Sequence, residues 1–145
     1  MFHFRLQHVL DVRERLERLR QKEYSLVLLE WQQLTHAIEE CRQRKARSAQ
    51  TVDGLRQTSP SPVPMQWHAQ YRQRLDAELQ RLGQELREKE QLLEARRMEL
   101  VESRRARRTL EILRDKQRAR YEESMSRQDR IAMDEVAANY HWFVS

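Results

Sequence analysis

The sequence predicts an all-α protein: two long helices folded into an antiparallel coiled-coil hairpin, the second helix longer than the first. Three observations carry this. All three prolines of the chain fall in Thr58-Ser59-Pro60-Ser61-Pro62-Val63-Pro64. Proline fixes its own φ and pushes the preceding residue out of the helical region, so no helix runs through that stretch. On either side the sequence is rich in Arg, Glu, Gln, Leu and Ala with almost no breaker, which is the composition of long helices. Apolar residues on both sides recur at alternating threes and fours, the spacing of helices that pack along their length.

The expected layout is one helical hairpin over residues 1–145. Helix one covers about 4–57, the proline-rich turn 58–64, helix two about 65–138, and a short tail 139–145. With 145 residues, only two glycines and 35% charged against 39% hydrophobic residues, there is too little apolar surface for a multilayer interior. What remains is a narrow seam between two helices.

In the first helix, Leu6, Val9, Val12, Leu16 and Leu19 make one apolar run. After a one-residue phase shift in Leu26-Val27-Leu28-Leu29, the row Val27, Trp31, Leu34, Ile38, Cys41 continues to Val52 and Leu55, with Lys45 and Ser48 on the same line. Lys45 must snorkel its ammonium outward. Trp31 and Cys41 are in phase with this row, so they read as packing residues rather than as a ligand box or a reactive thiol.

Helix two can begin with Ser61 as N-cap and Pro62 or Pro64 in the first turn, where a missing N–H costs nothing. Its seam is Tyr71, Leu75, Leu79, Leu82, Leu86, Leu93, Leu100, Leu110 and Leu113, interrupted by Lys89, Arg96, Ser103 and Arg107. That many polar residues make a soft coiled coil.

At ~1.5 Å per residue the first helix is about 80 Å long and the second about 110 Å. A fold at residue 61 puts Leu16 near Ala106 and Phe4 near Arg118. Everything beyond about Tyr121 then overhangs the N-terminus, presenting Tyr121, Met125, Ile131, Val136, Tyr140, Trp142 and Phe143 without intramolecular cover. An uncovered apolar row of that kind marks a docking surface or a segment that orders on binding, the alternative being a helix end that frays. Charge changes sign along the same helix. Residues 103–120 carry eight cations against Glu111 and Asp115, whereas 122–135 carry five acids against Arg127 and Arg130.

Chemistry is absent from the sequence. The five histidines are scattered without the i, i+4 pairing of a zinc site, and the single Cys41 offers no thiolate cluster, so no metal and no cofactor are expected. No glycine-rich phosphate loop, no nucleophile with a base and no concavity is evident, and the expectation is that the protein is not an enzyme. The net charge of +5 is compatible with nucleic acid. However, in Arg104-Arg105-Ala106-Arg107-Arg108 the leucines mainly precede the arginines, the reverse of a basic-region zipper, and no nucleic-acid partner is expected. The opening Met1-Phe2-His3-Phe4-Arg5-Leu6 passes straight into charge and no window approaches the length of a membrane span, so a cytosolic protein with no membrane insertion is expected.

Both ends resemble the flagellar export protein family FliJ. The start Phe4-Arg5-Leu6-Gln7-His8-Val9-Leu10-Asp11-Val12-Arg13 resembles the family's opening, and Met133-Asp134-Glu135-Val136-Ala137 its closing M/L-D-E-x-A motif. The resemblance implies a cytoplasmic stalk of the flagellar type III secretion apparatus, peripherally associated with the inner-membrane export machinery. Such a stalk sits in the hexameric export ATPase, contacts the cytoplasmic domain of the export gate and escorts export chaperones. It implies an ATPase-binding end made of the paired termini and overhang, with Phe4, Leu6, Arg13, Tyr121, Met125, Asp134 and Glu135. It implies a gate contact early in helix two at Tyr71 and Leu75, where the small residue the family carries in the next turn is Glu78. The equivalent stalk of a virulence-type secretion system and a basic nucleic-acid-associated coiled coil are the competing readings.

Overall fold

The computed structural model describes residues 1–58 and 62–144 and consists of two helices packed antiparallel, α1 (Gln7–Thr58) and the longer α2 (Pro62–Val144). Ser61, expected as the N-cap of α2, lies outside the described residues together with Ser59 and Pro60. Pro62 is the first residue of α2, the position at which proline's missing N–H is no loss. At the other end α2 continues through residues 139–144, where a tail was expected, because no glycine or proline follows Gly83 to stop it. Helix α1 starts at Gln7 rather than near residue 4; the Gln7 amide donates to the Phe4 carbonyl at 3.1 Å, closing a turn ahead of the helix.

The packing gathers into two compact units. In the unit Arg20–Leu100, the buried row of α1 is Val27, Ile38, Cys41, Ser48 and Val52, with Trp31 and Leu34 half-buried between them, and α2 supplies Leu75, Leu82 and Leu100. This is the expected line of residues. Its polar members are paired across the seam. Lys45 reaches out to Asp76 at 2.6 Å, Lys89 binds Glu30, and the Trp31 indole N–H donates to Glu90 at 3.4 Å. From Lys45–Asp76 to Trp31–Glu90 the α1 number falls as the α2 number rises, which is the antiparallel register. Cys41 is buried, its thiol directed at the Leu75 carbonyl at 3.6 Å.

The unit Met1–Leu19 with Val101–Ser145 departs from expectation. The run Leu6, Val9, Val12, Leu19 is not the seam: these side chains are exposed, Val12 at 58% and Leu19 at 50%, and Leu16 is half-buried. The fully buried side chain is Leu10. Counting back from Val27 in threes and fours gives Tyr24, Arg20, Glu17, Glu14 and Leu10, all buried or half-buried, so α1 keeps one phase and the expected shift at residues 26–29 does not occur. A phase shift requires local over- or underwinding of the helix. It is avoided because Glu17, on the unshifted line, meets the arginines of α2: it binds Arg107 and lies 3.4 Å from Arg104.

Tyr121 also departs from the expected bare overhang. The N-terminal ammonium donates to its hydroxyl at 2.8 Å and the Phe2 ring lies 5.7 Å from its own, tilted by 47°. The uncovered part of α2 therefore begins at Glu122, and every described residue from there onward is exposed.

Candidate functional site

Three surfaces hold the residues singled out in the sequence. The first is the end where the N-terminus meets α2. Phe4 is buried and shares the walls of a cavity with Phe2, Gln7, Arg114 and Arg118, while Leu6 and Arg13 are exposed on the outside of α1. Phe4 and Tyr121 thus hold the end together, and of the four only Leu6 and Arg13 are exposed.

Below them, Arg107 bridges Glu17 on α1 and Glu111 on its own helix, the latter at 2.6 Å. Hydrogen bonds to Arg107 first, then to Arg108, hold the Glu111 carboxyl below its ordinary value of 4.5. The bonds to Glu111 and then Glu17 raise Arg107 in turn. This cluster fixes the register of the unit by charge where the seam lacks leucines.

The second surface is the overhang from Glu122 to Val144. Ala132, Met133, Val136, Ala137 and Tyr140 form an open apolar face. Their spacing of one, three, one and three places them on one side of the helix. Asp134 and Glu135 fall on the other side by the same count. They stand 13 and 14 residues beyond Tyr121, about 20 Å further along α2. The expected ATPase residues therefore divide into two groups, Phe4, Leu6, Arg13 and Tyr121 at the paired end, and Asp134 and Glu135 on the overhang, with exposed Met125 between them.

The third surface lies in the other unit, at the start of α2. Leu75 belongs to the seam and is buried, so its side chain faces α1 rather than solvent. Tyr71 is half-buried and stacks on Trp67, with ring centroids 5.4 Å apart and planes within 9°. Trp67 in turn meets the edge of His68, whose Nδ1 is hydrogen-bonded to Ser48 Oγ at 3.1 Å. The exposed member of this aromatic ladder is Trp67, 60% accessible. It was missed in the sequence, although an aromatic pair at i, i+4 was the available signal.

Each surface carries an exposed apolar or aromatic side chain, Leu6 on the first, Val136 on the second and Trp67 on the third. Among the described residues no three His, Cys, Asp or Glu side chains are grouped to hold a metal ion, and no helix is long and apolar enough to cross a membrane.

A comparison with protein families matches residues 2–143 to the family described as Flagellar FliJ protein. No curated protein and no solved structure gives a significant match.

Proposed function

Because the chain belongs to the FliJ family of flagellar type III export components, we propose that it works as a non-enzymatic stalk that binds the hexameric export ATPase through the overhang and paired termini. In this reading it also couples the ATPase to the cytoplasmic domain of the export gate and escorts export chaperones. The observation that supports this best is the overhang. From Met125 to Val144 eight large apolar side chains are exposed on an unbroken helix, Trp142 at 85% and Phe143 at 92%. A soluble protein that keeps so much apolar surface in water has a partner for it.

The coupling follows from unequal contact. A helix with an apolar side and an acidic side touches the subunits of a ring differently, and a ligand shifts a conformational equilibrium by its difference in affinity for the states. No bond is made or broken by the stalk. The gate contact falls to the Trp67–Tyr71 ladder rather than to Leu75, since Leu75 is committed to the seam.

The experiment is stimulation of the export ATPase by the full chain and by a chain lacking 122–145. Cutting after Tyr121 keeps the Phe2 and N-terminal contacts that hold the paired end. Loss of stimulation with retained helicity is expected; stimulation equal to that of the full chain would sink the proposal.

A further inference from the structure

The overhang has a complement on the chain that bears it. In the body of the same unit, Val9, Val12, Leu16 and Leu19 follow one another at spacings of three, four and three, forming a stripe on α1 about 15 Å long outside the seam. Its surround is basic. Of the charged side chains in residues 1–19, the exposed ones are Arg5, Arg13, Arg15 and Arg18, while Asp11, Glu14 and Glu17 are all half-buried. On α2 the exposed Arg118 and Arg120 extend the same sign. The overhang is the counterpart in both respects, with an apolar face of similar length at Ala132–Tyr140 and five acids against two arginines.

The two cannot meet within one chain. Helix α2 runs without a break to Val144, so the overhang points away from its own body. We propose that a second copy of this chain supplies it: the overhang of each protomer lies antiparallel along α2 of the other and covers the stripe Val9–Leu19. One two-fold axis near residue 122 generates both contacts, an isologous arrangement in which the same pair of surfaces is used twice. The lengths agree, because 122–144 and the body stretch 101–121 both span about 30 Å. Opposite charge selects this pairing over overhang against overhang, which would set acid beside acid.

This inference does not rest on the ATPase reading, but it bears on it. The dimer hides the same overhang that a partner would take, so self-association and partner binding exclude each other, and the free protein keeps its apolar tip out of water.

Sedimentation of the full chain alone, at concentrations on the order of 1 to 100 µM, tests the proposal. A monomer–dimer equilibrium is expected, and deletion of 122–145 abolishes it. Val12→Lys with Leu19→Lys, and separately Val136→Lys with Tyr140→Lys, each weaken dimerisation by about tenfold or more while leaving helicity intact. Mixed together, the two variants form a heterodimer more tightly than either associates with itself, since one protomer retains a sound overhang and the other a sound stripe. A chain that stays monomeric throughout overturns the proposal. So does a dimer that survives the deletion, or one that is indifferent to the Val12 and Leu19 changes.

Discussion

Leu10→Ala and Val12→Ala discriminate between the two phases open to α1. If the apolar run Leu6, Val9, Val12 and Leu19 were the seam, Val12 would be the costly position. In the structure Leu10 is fully buried and Val12 is more than half exposed. Removing a buried leucine side chain costs ~2–5 kcal/mol, the spread reflecting how far the site collapses. Two helices with solvent close on both sides relax more readily than a multilayer core, which puts Leu10→Ala near the lower half, about 3 kcal/mol. At concentrations where the chain is monomeric, Val12→Ala at its exposed helix position changes stability by about 0.5 kcal/mol or less. At ~2–4 °C per kcal/mol for a chain of this size, the melting temperature of the unit falls by ~6–12 °C in the first variant and hardly moves in the second. Thermal unfolding followed by circular dichroism at 222 nm, with urea titration as a second measure, reads the difference. The phase assignment is refuted if Val12→Ala is the more destabilising of the two, or if Leu10→Ala unfolds with the wild type.

Three further outcomes are expected. Gly54 and Gly83 sit inside helices at ordinary negative φ; a Cβ at Gly54 meets nothing within 4 Å and one at Gly83 only Arg87 at 3.9 Å. Replacing both by alanine therefore stabilises the chain by ~1–2 kcal/mol in urea unfolding, and a loss of stability would show that one of them is needed as glycine. The Glu111 carboxyl is held below its ordinary value in the fold, so its contribution is complete above the unfolded value of 4.5 and is lost as pH falls through that value toward the folded one. The gap in melting temperature between wild type and Glu111→Gln is expected to be widest near neutrality and to narrow as the pH falls below 4.5; a gap independent of pH contradicts the assignment. Finally, Trp67→Ala leaves helicity unchanged and weakens binding to the cytoplasmic domain of the export gate by about tenfold in a titration, whereas unaltered affinity removes the aromatic ladder from that contact.

Helix, break and polarity of the two faces were legible from residue types alone. The prolines between Thr58 and Pro64 had to interrupt the chain, and the row from Val27 to Leu55 had to form a seam because only one apolar line runs through it. Periodicity is ambiguous where two lines compete. Between Leu6 and Leu26 the sequence offers an apolar run one residue out of step with Val27, and periodicity cannot choose between them. The candidate site divided in the same way. The exposed side chains from Met125 to Phe143 follow from the inequality of the two helices, while the capture of Tyr121 by Phe2 and the N-terminus, and of Leu75 by the seam, do not.

Sequence by itself determined what each helix is: where the chain breaks between the two and which residue types lie along each of their sides, since those depend on neighbours three and four positions away. Tertiary structure decided which side faces inward. That choice depends on what stands opposite, and here arginines 104 and 107 drew Glu17 into the seam, fixed Leu10 as its anchor and turned Val12 and Leu19 to the outside.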